Sequence, residues 1–199
     1  APGFTEPLLR KPSDMVSIDL AAFAEAYDNE ALRGAPRALT GRLDGTQVEP
    51  YPKREEIVQQ PGQVIAWANP VDVYNLQVQG SGRLLFPDGG AARAQFAAQN
   101  GYRWNSALGA LSRSGELQGA TWSNFRAWSD QRGVDATRTA LNVDPSYVFF
   151  GEESIPDPSL GPRGAAGIPL QPQGSLAVDP AYHPYGALIF VDGQYGGAP

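Results

Sequence analysis

Glycine and proline are frequent along this chain, and their spread limits the length of any regular element. The 199 residues include 23 Gly and 18 Pro, scattered without a repeat or a low-complexity segment. Proline lacks an amide donor and glycine adopts backbone angles closed to other residues, so both interrupt strands and helices. The sequence therefore predicts a mainly β fold of short strands and many turns, with a few short helices.

Alternating apolar and polar side chains indicate where several strands lie. The alternation runs over residues 15–20, 63–67 and 73–79, and turn formers flank each run, as expected for strands with one buried face. Residues 84–97 fit a hairpin whose turn is Pro87-Asp88-Gly89-Gly90, because Pro presets φ and Gly accepts positive φ. Apolar runs predict further strands over residues 147–150, 176–178 and 187–191.

Three segments have the helical period instead and predict helices near residues 104–113, 122–132 and 136–142. Thr121 is placed to cap the second helix. Trp122, Phe125 and Trp128 share one face of it and are assigned to the core. Asp135 is the expected cap of the third helix.

Composition excludes several classes of site. The chain has no cysteine and one histidine, His183, so disulfides, thiolate zinc sites and multi-histidine metal centres are excluded. Neither a metal nor a cofactor is predicted. A net charge of -6 with mixed signs along the chain argues against nucleic acid as a partner. No apolar run approaches the ~20 residues of a membrane helix.

Neutral polar groups concentrate between residues 75 and 82. On the predicted strand, Asn75, Gln77 and Gln79 would share one face, and Gly80-Ser81-Gly82 continues the segment. Amides offer a donor and an acceptor side by side, and glycine lets a ligand approach the backbone. The segment fits a surface that binds sugar hydroxyl and acetamido groups, although an ordinary solvated strand face explains the same pattern.

A second polar cluster, residues 99–106, precedes the first long helix. Asn100, Gly101, Tyr102 and Ser106 lie where helix entries collect unpaired N–H donors, and they are candidate substrate-binding residues. Trp104 fits two roles, a core anchor for the helix or a ring that stacks on a ligand.

Among many carboxylates, Asp179 is distinguished by its position. It ends the apolar run before Pro180, and strand ends commonly present catalytic groups. An Asp before Pro also forms turns, so a structural role remains open.

Seven motif-like segments follow one another along the chain: residues 76–82, 87–89, 98–101, 122–128, 144–150, 167–170 and 175–180. In this order they resemble the membrane-bound lytic murein transglycosylase A family. The resemblance spans most of the chain from about Pro7 onward.

The resemblance implies a bacterial cell-wall enzyme that cleaves the β-1,4 bond between N-acetylmuramic acid and N-acetylglucosamine without water and closes a 1,6-anhydro ring. It implies a small six-stranded barrel-like domain inserted into a double-psi β-barrel, with glycan bound between them. Residues 1–160 would be the inserted domain and 161–199 the start of the returning, incomplete barrel. Peptidoglycan and wall-synthesis proteins are the implied partners, in the periplasm, with a possible lipid anchor to the outer membrane.

In that family three aspartates characterise the barrel, and Asp179 matches only the first. The resemblance therefore gives Asp179 a supporting role and places the main acid beyond Pro199. Because the sugar's own C6 hydroxyl is the nucleophile, one acid suffices where an ordinary glycosidase needs two carboxylates. The alternative function is a module that binds glycan or a partner without catalysis.

Overall fold

The computed structural model describes residues 3–155, 161–164, 166–171, 173–176, 178–179 and 181–192. The chain divides into two compact units, Ala1–Ser154 and Ile155–Pro199.

The first unit contains eight strands and six short helices in its described part, which confirms the predicted mainly β class with a few short helices. The strands are β1 Glu6–Leu9, β2 Met15–Asp19, β3 Ala38–Asp44, β4 Gln47–Pro50, β5 Val64–Ala68, β6 Ser81–Leu85, β7 Ala91–Gln99 and β8 Val148–Ser154. The helices are α1 Leu20–Ala26, α2 Glu30–Arg33, α3 Pro70–Gln79, α4 Ala107–Arg113, α5 Trp122–Arg132 and α6 Val134–Leu141, with a 3-10 turn at Arg54–Glu56.

The strands form three antiparallel sheets, ordered β1-β5, β2-β3-β4 and β6-β7-β8. The predicted strands at residues 15–20 and 63–67 are confirmed as β2 and β5. The predicted hairpin is confirmed as β6 and β7, which pair from Ser81 with Gln95 to Leu85 with Ala91. The predicted strand at 147–150 is the first part of β8.

The predicted strand over residues 73–79 is wrong, because this segment belongs to helix α3. Asn69 caps the helix by accepting a bond from the Val71 N–H at 2.9 Å, and Pro70 occupies its first turn. Gly80 ends it in the left-handed conformation at φ 81°, which non-glycine residues rarely adopt. These signals at both ends outweigh the alternation between them.

The helical predictions are confirmed, with one corrected cap. Helices α4, α5 and α6 lie within two or three residues of the predicted bounds, and Thr121 accepts a bond from the Asn124 N–H. The cap of α6 is Gly133, and Asp135 lies within the first turn, where its charge favours the positive end of the helix dipole.

The largest core cluster joins α3 to the three later helices. Phe125 is fully buried, and its ring stacks on Trp128 with centroids 5.9 Å apart. Trp122 packs against the same cluster, so the predicted core face of α5 is confirmed. Two smaller clusters lie between the sheets, one around Phe149 and one around Phe150.

In the second unit, Arg163 and Pro169 form an isolated bridge. Residues 187–191 are not a strand, and this prediction is wrong. A strand needs a neighbouring strand for its hydrogen bonds, and the described residues of this unit provide none there. The predicted strand at 176–178 lies partly outside the described residues. Over the described chain, no helix has the length and apolar character needed to cross a bilayer.

Candidate functional site

Helix α3 separates the amide side chains that a strand would have aligned. Successive residues of a helix turn by about 100°, so alternate positions face different directions. Gln77 is buried at 6% exposure, Asn75 is half-buried and Gln79 is exposed. The predicted row of three amides on one face is therefore wrong.

A groove of about 810 Å³ runs between β5, α3 and β6. We call it the α3–β6 groove. It brings together Gln79, Ser81 and Gly82, three of the predicted substrate-binding residues. Residues that also line it include Phe4, Trp67, Asn75 and Leu76.

The groove combines an aromatic side chain with a buried acceptor that has no partner among the described residues. The Trp67 side chain is 50% exposed. Asn75 Oδ1 is buried and has no hydrogen-bond partner among the described residues. A buried acceptor without a partner costs free energy, so a donor brought by a ligand would be stabilised there.

Two glycines shape the end of α3 where the groove passes it. Gly80 has the positive φ that lets the chain leave the helix and enter β6 directly. At Gly82, an added Cβ would lie 2.6 Å from Leu76 Cδ1. A larger residue at position 82 would displace the Leu76 side chain, so glycine keeps the groove wall close to the helix.

Gln77 belongs to a different structure, a buried cluster around Arg54 that sequence reasoning missed. We call this cluster the Arg54 node. The guanidinium donates to Gln77 Oε1 at 2.7 Å, to the Ser146 carbonyl at 2.6 Å and to the Asp144 carbonyl at 3.0 Å. It lies over the rings of Tyr74 and Tyr147, 5.1 Å from each centroid.

The Asp144 carboxylate supplies the opposite charge within the Arg54 node. It is fully buried and lies 3.7 Å from Arg54 Nη2. It also accepts bonds from the Tyr74 hydroxyl at 3.1 Å, the Asn105 N–H at 3.1 Å and the Ser146 N–H at 3.0 Å. Both oxygens of the fully buried Asp144 carboxylate have partners, so this cluster joins distant segments of the fold.

Burial governs the titration of the groups in this cluster. It lowers the pKa of the Arg54 guanidinium, while the nearby Asp144 carboxylate raises it. Burial also raises the pKa of Tyr74 to about 12 and shifts the pKa of Tyr147 upward. Both hydroxyls therefore remain protonated at neutral pH.

Residues 100–106 form the loop before α4, and most of their polar groups are used within the fold. Asn100 is 1% exposed and donates to the carbonyls of Pro52 and Pro145, each at 2.9 Å. Ser106 caps α4 by accepting a bond from the Gly109 N–H at 3.0 Å.

Gly101 and Tyr102 are tied to the neighbouring Gln99. The Gly101 N–H donates to the Gln99 side chain, which in turn donates to the Tyr102 carbonyl. Trp104 is not a core anchor, because it is 59% exposed and lines a separate concavity of about 310 Å³. We call this concavity the Trp104 pocket. Val78, Gln99 and Val148 also line it, and the rest of the lining belongs to the Arg54 node: Arg54, Tyr74, Gln77, Asp144 and Ser146.

Asp179 and His183 lie in the second unit. Asp179 is exposed, and its carboxylate accepts a bond from the Ala181 N–H at 2.9 Å. Its carbonyl accepts bonds from the N–H groups of Tyr182 and His183. Asp179 therefore organises a turn in this structure, and the exposed His183 lies in the same turn.

Sequence reasoning missed Trp67 as a site residue and Arg54 as a framework residue. Trp67 gave only the signal of a strand end. Asn75 does line the groove, as expected for a sugar-binding surface, but the helix that starts at Asn69-Pro70 turns its side chain away from Gln77. Arg54 gave no local signal, because its partners lie 23 to 92 residues away.

The comparisons with known proteins agree on one protein family. The family model described as the MltA specific insert domain matches residues 1–151. The membrane-bound lytic murein transglycosylase A of Escherichia coli K12 is 29% identical over 133 residues, which are 65% of this chain and 35% of that protein. The chain therefore spans about a third of the length of this relative.

Solved structures of lytic transglycosylases share the fold of this chain. A membrane-bound lytic murein transglycosylase from Agrobacterium tumefaciens is 30% identical with a TM-score of 0.65, and the match covers 85% of this chain and 46% of that one. E. coli MltA with bound chitohexaose shares the fold, at 23% identity and a TM-score of 0.62 over 92% of this chain and 46% of that one. Because the insert-domain model matches most of its length, the chain belongs to the membrane-bound lytic murein transglycosylase A family.

Proposed function

We propose that the α3–β6 groove binds a peptidoglycan glycan strand, and that the chain forms the substrate-holding part of a lytic transglycosylase. The reaction is non-hydrolytic cleavage of the bond between N-acetylmuramic acid and N-acetylglucosamine, with formation of a 1,6-anhydro ring during cell-wall turnover. Family membership supports the enzyme class, and the relative with bound chitohexaose supports an oligosaccharide of N-acetylglucosamine as ligand.

The observation that carries the proposal is the chemistry of the groove. Trp67 offers a half-exposed ring face against which the apolar C–H face of a sugar packs. Asn75 Oδ1 lacks a donor among the described residues, and Gln79 and Ser81 add neutral polar groups on the same lining. Asp72, which pairs with Arg126, and Arg83 also line the groove. The neutral hydrogen-bonding groups beside the aromatic ring suit an acetamido sugar.

We propose that residues 1–160 are the inserted domain and that residues 161–199 begin the returning barrel. The division of the chain after Ser154 and the family match over 1–151 support this boundary. Asp179 is proposed to support an acid outside this chain. That acid would protonate the leaving oxygen and then accept the proton of the attacking C6 hydroxyl.

The protein is proposed to act in the periplasm. The relatives' designation as membrane-bound supports attachment to a membrane, and a lipid anchor to the outer membrane is the proposed means. Glycan strands are the proposed main partner, with wall-synthesis proteins as further partners.

Binding is tested by titrating isotopically labelled chain with chitohexaose and following its amide resonances. We expect shifts at residues 79–82 and at Trp67. Trp67→Ala and Asn75→Ala should each weaken binding about tenfold or more, since the loss of 1.4 kcal/mol corresponds to a factor of about ten. Tyr27→Ala removes an aromatic ring that is 70% exposed in another part of the unit, and it should bind as the wild type does. Unmoved resonances at 79–82 at saturating chitohexaose would refute the groove assignment.

The reaction is tested on the parent protein with purified sacculi as substrate. Lytic cleavage releases products that end in 1,6-anhydro-N-acetylmuramic acid, which mass spectrometry distinguishes from hydrolytic products by the absence of one water. Reducing ends in place of anhydro ends would rule out the proposed chemistry.

The second candidate is a non-catalytic module that binds glycan or a partner protein. The position of Asp179 favours it, because the carboxylate is exposed and bound to its own turn. Cleavage of sacculi by the 199-residue chain alone would eliminate this candidate. Glycan binding without cleavage by the parent protein would establish it.

A further inference from the structure

Asn100 and Gly101 form the one Asn-Gly pair of this sequence, and the fold requires both residues. Asn100 is 1% exposed, and its side chain is the partner of three backbone groups: the carbonyls of Pro52 and Pro145 and the Tyr147 N–H. Gly101 has a φ of 91°, a conformation that favours glycine. The structure therefore places a chemically sensitive dipeptide at a position where neither residue is easily replaced.

An asparagine before a glycine is open to an internal reaction, because glycine has no side chain to shield its backbone nitrogen. That nitrogen attacks Cγ of the asparagine, so that an N–Cγ bond forms, the Cγ–Nδ2 bond breaks, and ammonia leaves with the proton of the backbone amide. Water then opens the five-membered succinimide ring. Opening at Cγ gives aspartate, and opening at the main-chain carbonyl carbon gives isoaspartate. The net change exchanges NH₂ for the OH of water and needs no other reagent.

In the folded chain the groups that would react are already bonded. The Gly101 N–H donates to Gln99 Oε1 at 2.8 Å, and Asn100 Nδ2 donates to two carbonyls, each at 2.9 Å. Ring closure removes both the Gly101 proton and the Nδ2 group, so it breaks all three bonds at a side chain that is closed to water. Buried polar groups that lose their partners cost free energy. The native structure therefore protects Asn100.

Neither product of the reaction fits the native site. Aspartate at position 100 places a carboxylate oxygen where Nδ2 now donates, so this oxygen faces the carbonyls of Pro52 and Pro145 without a proton to share. A buried charge in such surroundings is strongly unfavourable. Isoaspartate adds a carbon to the main chain, directly beside the Asn100 N–H that donates to the Tyr147 carbonyl.

We propose that Asn100-Gly101 is a latent deamidation site. The folded chain protects it, prolonged unfolding converts Asn100 to aspartate or isoaspartate, and the modified chain does not regain this fold. Chemical change of the unfolded state makes unfolding irreversible, and here one dipeptide supplies that change. The inference goes beyond the proposed function, since it does not depend on glycan binding.

Peptide mass spectrometry tests the modification on the full 199-residue chain, kept folded in buffer or unfolded in urea at the same mildly alkaline pH. Cleavage after Arg93 and Arg103 gives a peptide with Asn100 as its sole asparagine, and the next peptide carries Asn105 before a serine. In urea, the exchange of NH₂ for OH should appear in the first peptide well before the second. In buffer it should be at least about a thousandfold slower, since a typical stable domain is unfolded for less than about a thousandth of the time.

A variant and a refolding series test the two steps separately. Gly101→Ala shields the backbone nitrogen and should slow the reaction in urea, where the native fold plays no part. Wild-type chain returned to buffer after increasing times in urea should refold in decreasing yield, in step with the modification. Tryptophan fluorescence measures this yield, and the refolded fraction should contain unmodified Asn100.

Asn100→Asp reproduces one product and should lower the urea midpoint or prevent folding. The matched control is Asn29→Asp, because Asn29 is exposed and accepts from the Ala31 N–H, a role that aspartate fills equally well. Similar rates in buffer and urea would refute the protection, and similar rates for the two peptides in urea would refute the site. A wild-type urea midpoint for Asn100→Asp, or a refolded fraction rich in modified chain, would refute the effect on refolding.

Discussion

Replacing Asp144 by Asn tests whether the Arg54 node holds the first unit together. The substitution keeps the shape of the side chain and removes its charge. One carboxylate oxygen accepts from two backbone N–H groups, and the other faces the Tyr74 hydroxyl and the Arg54 guanidinium. In either orientation of the new amide, its NH₂ group replaces a carboxylate oxygen that now accepts from donors, and it faces those donors instead. The Arg54 charge is also left in a buried site without its counter-ion.

We expect Asp144→Asn to cost about 3–5 kcal/mol, the usual cost of removing one partner of a buried ion pair. This is a large part of the roughly 5–15 kcal/mol that stabilises a typical domain. The matched control is Asp72→Asn, which removes an exposed carboxylate paired with Arg126. Surface pairs contribute about 0–1 kcal/mol, so the control should remain close to the wild type.

Urea unfolding followed by tryptophan fluorescence and far-UV circular dichroism measures both variants against the wild type. The double variant Arg54→Met, Asp144→Asn buries no unpaired charge. Its free energy of unfolding should therefore fall by less than the sum of the decreases for the two single variants. A loss below about 1 kcal/mol for Asp144→Asn would show that water or rearrangement compensates the Arg54 charge, and the reasoning would be wrong.

Two further outcomes follow from buried polar groups. Burial, reinforced by Asp14 and opposed by Arg42, raises the pKa of Tyr51 to about 12, whereas the unfolded value is about 10. Above pH 10 the unfolded state loses this proton first, so the free energy of unfolding should fall as the pH rises toward 12. Tyr51→Phe should make this fall shallower, as measured by urea midpoints between pH 9 and 11. An unchanged slope would contradict the prediction. Asn100→Ala removes the side-chain partner of two carbonyls and of the Tyr147 N–H. It should lower the free energy of unfolding by about 3 kcal/mol in the same assay. A decrease under about 0.5 kcal/mol would contradict this prediction.

Elements fixed by local chemistry could be predicted from the sequence. The hairpin of β6 and β7 follows from its Pro87-Asp88-Gly89-Gly90 turn, where the Gly90 N–H donates to the Asp88 carboxylate. Helix α5 follows from its Thr121 cap, its aromatic face and Gly133. Each signal lies within one or two helical turns of the element that it specifies, so no distant contact is needed to interpret it.

Two predicted strands are wrong because alternation or apolar composition does not by itself specify a strand. Residues 73–79 alternate like a strand, and only Asn69-Pro70 and Gly80 at their ends indicate a helix. Residues 187–191 have strand composition, but composition does not supply the neighbouring strand. Composition alone therefore specified neither element.

The candidate site was predictable in part for the same reason. Gln79, Ser81 and Gly82 do line the groove, because their position after a helix end is local. Asn100 was assigned to the substrate although it is buried among backbone carbonyls. Trp67 joins the groove only through the packing of β5 beside α3, which the sequence pattern does not reveal.

The Arg54 node also has a consequence for how the chain reaches its structure. Arg54 bonds residues 23, 90 and 92 positions further along the chain. Contacts between such distant positions require large loops to close, and the entropy of that closure is lost before the contacts can stabilise anything. The node should therefore assemble after the local hairpin and helices have formed. Substitutions there should mainly accelerate unfolding and leave the folding rate nearly unchanged.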